Sequence, residues 1–173
     1  MTSEYDGVVY DLDGTLVRLD VDWEAVASDV TTVYREAGVS PDGRDLWGLF
    51  EDAPEHGLRD PVHEAIAHHE REGARTSDRL PLADALAEDY RPIAVCSLNC
   101  EAACHIALET HGLSDHVRAV VGRDTVATYK PHPEPLLTAV SAIDRHPRSV
   151  VFVGDSERDE QTARRAGTDF EWV

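Results

Sequence analysis

Apolar and polar positions along the chain fall into short blocks. Val8–Tyr10, Ile93–Cys96, Ala119–Val121 and Val150–Val153 are continuous apolar runs of strand length, with a weaker fifth at Phe170–Val173. Runs without alternation read as strands buried on both faces, as in a parallel sheet. Between the later runs the apolar spacing is helical. Cys100–Thr110 is followed by Gly112, Pro135–Ile143 opens on a proline, and Arg158–Ala166 stops at Gly167. A proline at the start and a glycine just past the end are common helix boundaries. Strand alternating with helix predicts an α/β fold on a doubly wound sheet.

The stretch from Leu16 to Pro81 breaks this alternation. Asp22 is placed to cap a helix whose apolar stripe is Trp23, Val26, Val30, Val33 or Tyr34, and Ala37, with Gly38 ending it. Ser40-Pro41 predicts a second helix carrying Leu46, Trp47, Leu49 and Phe50; Asp60-Pro61 predicts a third that runs to about Arg71. The expected organisation is a core of residues 1–15 and 82–173, with residues 16–81 a small α-helical cap inserted after strand 1. The aromatic residues Trp23, Trp47 and Phe50 are expected to fill the cap core, and His63, His68 and His69 to face solvent.

Composition narrows the partners. The 173 residues are enough to bury a core without disulfides. A formal net charge of −18, spread along the chain, repels nucleic acid and anionic membranes, so neither is expected as a partner. No apolar run approaches the roughly 18 residues of a membrane span. The first residues, Met1 to Asp6, are acidic and lack an apolar signal region, which makes the cytoplasm the expected location. Fifteen of the 16 basic residues are arginine and the sole lysine is Lys130. Dispersed acid with so little lysine is expected of a halophilic organism, where salt screens self-repulsion. Cys96, Cys100 and Cys104 are an odd set that fits buried small hydrophobes better than a disulfide framework. Cys100 and Cys104, with His105 and His111 nearby, match no common zinc spacing.

In an open parallel sheet, ligands bind outside the carboxyl ends of the strands. Asp11-Leu12-Asp13-Gly14-Thr15 follows the first run, and its two aspartates point the same way along an extended chain. Locally this is also compatible with an acidic turn, since Asp-Gly is a common turn pair. The other strand ends change that balance. Ser97-Leu98-Asn99 follows the second run, Lys130 sits in the proline-rich loop after the third, and Gly154-Asp155 with Asp159 follows the fourth. Four carboxylates, a hydroxyl and the only lysine at one edge are the parts phosphoryl transfer needs. A carboxylate can attack phosphorus, and a second can donate and accept the proton. Others can hold magnesium, while N–H groups at a helix start and a lysine bind phosphoryl oxygens.

These residues resemble the haloacid dehalogenase superfamily on its phosphatase side. The resemblance rests on Asp11-Leu12-Asp13-Gly14-Thr15, Ser97, Lys130, and Gly154-Asp155-Ser156-Glu157-Arg158-Asp159, in this order at strand ends. The run from Lys130 to Pro135 is most similar to the phosphoglycolate phosphatase and β-phosphoglucomutase branch. The resemblance implies a Rossmann-like parallel five-stranded sheet flanked by helices, Mg2+ as cofactor, and a small phosphorylated metabolite as substrate. By the same resemblance Asp11 is nucleophile and metal ligand, and Asp13 is general acid/base with its backbone carbonyl on the metal. Ser97, Leu98 and Asn99 bind the phosphoryl group, and Lys130 stabilises it and steadies Asp11. Asp155 is a further metal ligand, and Asp159 ligates the metal or orients its water. The chain departs from many relatives at Arg18-Leu19, where an acidic-Ser pair is usual, and in its short insert. A phosphomutase of the β-phosphoglucomutase type and a non-catalytic phospho-ligand binder are the alternatives. The second has no need of both Asp11 and Asp13.

Overall fold

The computed structural model describes residues 4–173. Five strands form its centre: β1 (Gly7–Tyr10), β4 (Ile93–Cys96), β5 (Ala119–Val121), β6 (Val150–Gly154) and β7 (Asp169–Trp172). They make one sheet in the order β5-β4-β1-β6-β7. All its pairings are parallel, with Val8 opposite Ile93 on one side and Val151 on the other. The apolar runs are strands because both faces are covered. Val8, Tyr10, Ile93 and Val95 face one cluster; Val9, Ala94, Cys96 and Phe152 face the other. The helices α4 (Leu82–Glu88), α5 (Glu101–Thr110), α6 (Glu134–Ala142) and α7 (Glu157–Ala166) supply those clusters. The expected α/β, Rossmann-like architecture is therefore present. The parallel register brings the carboxyl ends of β1, β4 and β6 to one edge.

A third cluster lies in the helices α1 (Trp23–Glu36), α2 (Leu46–Asp52) and α3 (Arg59–Arg75). Asp22 caps α1 by accepting the N–H groups of Glu24 and Ala25, and Val26, Val30 and Tyr34 bury its apolar stripe. The second helix starts later than Ser40-Pro41 suggests. Residues 41–44 form turn and loop, and Asp45 is the cap, its carboxylate accepting the Gly48 N–H at 2.8 Å. The third helix is longer than its polar sequence suggests, because one stripe of it is buried from Val62 to Ala74.

Two elements go beyond those expected from the sequence. They are α4 and a two-stranded antiparallel ladder of β2 (Val17–Arg18) with β3 (Asp78–Arg79). The ladder ties the start of the helical segment to its end. α3 belongs to two cores: Val62 and Ile66 pack with α1 and α2, and Ala67 and Ala74 pack with α5 and the sheet.

Candidate active site

Asp11 leaves β1 with its N–H on the Val153 carbonyl at 2.9 Å, so the sheet itself fixes the first carboxylate. Its Oδ1 accepts from Lys130 Nζ at 2.9 Å and its Oδ2 from Thr15 Oγ1 at 3.3 Å. Lys130 Nζ also donates to Asp159 Oδ1 at 2.5 Å and to the Cys96 carbonyl at 3.2 Å. The side chains of Asp11, Lys130 and Asp159 are all buried. Asp159 is held in place from below by a capping box at the start of α7, where Ser156 Oγ donates to its Oδ2 at 2.6 Å. Asp155 lies beside this group and is exposed. Carboxylate oxygens of Asp11, Asp155 and Asp159 lie within 4.8 Å of one another.

Gly14 makes this crowding possible. Its φ is +85°, and a Cβ there would stand 2.1 Å from Asp155 Oδ2. Asp13 lines the same cleft. It is half-buried, and its Oδ1 accepts the backbone N–H of Leu19 at 2.9 Å, just past β2.

Charge and burial shift these groups as expected. Desolvation, opposed by Lys130 and assisted by Asp159, pushes the Asp11 carboxyl up to about 6. Burial raises Asp13, and burial followed by repulsion from Asp159 raises Asp155. Burial alone would lower Lys130, but attraction to Asp11 and Asp159 outweighs it and the ammonium is held well above its ordinary value. Cys96 and Cys100 are pushed up to about 12 by burial, Cys104 is raised in the same way, and all three are free thiols. They are inert core residues.

The loop after β4 closes the other side. Ser97 Oγ accepts the Asn99 N–H and donates to Asn99 Oδ1, both at 3.0 Å. Two residues outside the expected set hold this loop. Glu70 on α3 pairs with Arg123 after β5, Oε1 to Nη1 at 2.6 Å and Oε2 to Nη2 at 2.9 Å, with both side chains 1% exposed. Glu70 also accepts from Asn99 Nδ2 and the Cys100 N–H, and Arg123 donates to the Leu98 carbonyl at 2.7 Å. The sequence signal that could have found Glu70 is a carboxylate on an apolar stripe. Val62, Ile66, Glu70, Gly73 and Ala74 share helical spacing, and all are buried.

A cleft of about 180 Å³ lies at this edge, lined by Asp11, Asp13, Ser97, Leu98, Asn99, Lys130, Asp155, Ser156 and Asp159 on one side and Trp23, Trp47 and Glu70 on the other. The structure thus brings the expected site residues to one cleft. It corrects the expectation for two aromatics: Trp23 is 39% exposed and both it and Trp47 face the cleft instead of filling a core. Phe50 packs edge-on against Trp47. His63 and His69 are half-buried beside Asp124 and Asp29, at 3.5 and 2.6 Å, while His68 is exposed.

Residues 56–173 match the family model described as haloacid dehalogenase-like hydrolase. A phosphoglycolate phosphatase of Cereibacter sphaeroides is 31% identical over 95% of this chain and 83% of its own length. The fructose-1-phosphate phosphatase YqaB of Escherichia coli is 29% identical over 98% of this chain and 96% of its own. Among solved structures, CbbY of Rhodobacter sphaeroides in complex with phosphate superposes with a TM-score of 0.70 at 18% identity, covering 98% of this chain and 86% of that one. The chain belongs to the haloacid dehalogenase-like hydrolases. With its phosphatase-named relatives, it is classed as a phosphoric monoester hydrolase.

Proposed function

We propose that the chain is a magnesium-dependent phosphatase that hydrolyses a small phosphorylated metabolite through an aspartyl-phosphate intermediate. The observation that carries this is the charge count at the strand ends. One ammonium, Lys130, bridges Asp11 and Asp159, and Asp155 adds a third carboxylate within reach. Such an excess of buried acid calls for a further cation. Three carboxylates are the hard oxygen donors that magnesium prefers. Asp11, Asp155 and Asp159 would hold it, together with the Asp13 backbone carbonyl. When bound, it would offset the repulsion between carboxylate and phosphate.

In the first step an Asp11 carboxylate oxygen bonds to phosphorus and the bond from phosphorus to the ester oxygen breaks. The leaving oxygen takes a proton from Asp13, whose burial favours the protonated form. In the second step a water attacks phosphorus and gives its proton to Asp13, and the bond to Asp11 breaks. Lys130 keeps Asp11 oriented and offsets charge on the phosphoryl oxygens, which Ser97 and the loop N–H groups also bind. Residues 16–81 act as a cap over the leaving group, excluding water during the first step.

The test is turnover of p-nitrophenyl phosphate at high and low salt. Activity should require added magnesium and vanish with EDTA. Asp11→Asn should reduce kcat by more than about 10³-fold. Retained turnover in that variant removes Asp11 as the nucleophile, and activity indifferent to EDTA removes the metal.

A further inference from the structure

The two ends of the cleft differ in kind. The phosphoryl end is crowded with charge. At the other end Trp23 and Trp47 stand with ring centroids 6.0 Å apart. Indole faces suit the C–H surface of a polyol, and each ring carries one N–H donor for a hydroxyl.

A leaving group with its own anion would need a cation there. Among the described residues lining the cleft, Lys130 is the only cation, and its three hydrogens already go to Asp11, Asp159 and the Cys96 carbonyl. The buried guanidinium Arg123 is not among the residues lining the cleft; with the exposed Arg158 it lines an adjoining cavity that shares Trp47, Leu98 and Lys130. Glu70 does line the cleft, paired with Arg123 through both carboxylate oxygens, and its charge offsets that of Arg123. A carboxylate brought to this end would lose water and meet indole and further carboxylates, a costly desolvation with no free cation among the residues lining the cleft. The chain's formal charge of −18 adds to the repulsion.

We infer that the ester this cleft accepts has an uncharged, hydroxyl-bearing leaving group. Trp23 and Trp47 determine that specificity, and Glu70 enforces it by neutralising Arg123. The inference rests on the phosphatase reading and selects within it. It runs against the carboxylate-bearing ester named for several relatives.

Two matched pairs of esters test it, each differing only in a CH2OH or carboxylate end. They are 2-hydroxyethyl phosphate against 2-phosphoglycolate, and glycerol 3-phosphate against 3-phosphoglycerate, with magnesium at fixed ionic strength. Wild-type kcat/KM should favour the uncharged member of each pair by at least about tenfold. Glu70→Gln keeps the shape and unmasks the Arg123 charge, and it should shrink that ratio at least about threefold through KM for the carboxylate ester. Equal or reversed preference in a wild-type enzyme that turns over p-nitrophenyl phosphate overturns the inference and leaves the phosphatase reading intact. No turnover of any ester overturns both. The wild-type ratio decides the matter even if the Glu70 variant does not fold.

Discussion

Two buried ion networks lie on either side of the Ser97–Asn99 loop, and they are built on opposite principles. The pair of Glu70 and Arg123 is balanced: one charge of each sign, bidentate, with the remaining oxygen capacity of Glu70 filled by Asn99 and Cys100. The network around Lys130 is unbalanced, with one ammonium against Asp11 and Asp159 and with Asp155 adjoining. A balanced pair holds parts together with no excess charge to offset, even though Arg123 Nε is left without a hydrogen-bond partner. An unbalanced cluster in a folded protein is a binding site for whatever evens the count. Charge balance thus distinguishes a fastening from the proposed reaction centre.

The comparison breaks most visibly at the balanced pair. Glu70→Ala leaves Arg123 buried without its partner and should cost about 3–5 kcal/mol, seen as a fall of roughly 6–20 °C in Tm for a chain of this size. Magnesium should not restore it. The unbalanced cluster should respond to the ion instead. Magnesium at about a hundred times its Kd should stabilise the wild type by about 2.7 kcal/mol in thermal unfolding, and an unmoved Tm would count against the site.

A smaller effect concerns pH. The folded protein holds the Lys130 proton more tightly than its ordinary value of 10.5, so the stability it contributes is complete below that value and is lost as pH rises beyond it. Above the range in which Asp11 titrates, the stability gap between wild type and Lys130→Met should be flat up to there and then narrow by at most about 1.4 kcal/mol per pH unit. A gap that narrows already near pH 8 would show that the ammonium is not held by its carboxylates. The smallest change is expected from Asp155→Asn. Without metal it relieves repulsion and should raise stability by less than about 1 kcal/mol, while the magnesium-induced shift in Tm should disappear.

The two networks also differ in how legible they are in the sequence. Asp11, Ser97, Lys130 and Asp155 follow directly on apolar runs or lie in the loops after them, so the runs and the rule that ligands bind at strand carboxyl ends draw attention to them. The parallel pairing follows from the same runs, because only strands covered on both faces dispense with alternation. Glu70 is hidden because it sits in a helix rich in charge, where one more carboxylate looks solvated. Only its phase, in line with Val62, Ile66 and Ala74, distinguishes it. Trp23 and Trp47 mislead for the opposite reason. Large aromatics at helical spacing ordinarily bury themselves, and nothing local shows that α1 and α2 turn these rings toward the sheet edge. The Val17–Arg18 and Asp78–Arg79 ladder is two residues per strand, too short for any period to register.

The double membership of α3 constrains how a substrate arrives. A lobe that swung away whole would drag Glu70 off Arg123 and pull Ala67 and Ala74 out of the packing around α5. The helix therefore serves as a fixed post. An opening that left these contacts intact would be confined to α1 and α2, which carry Trp23 and Trp47 and meet the post through Val62 and Ile66. Such an opening would part the cleft on the side that carries the two indoles.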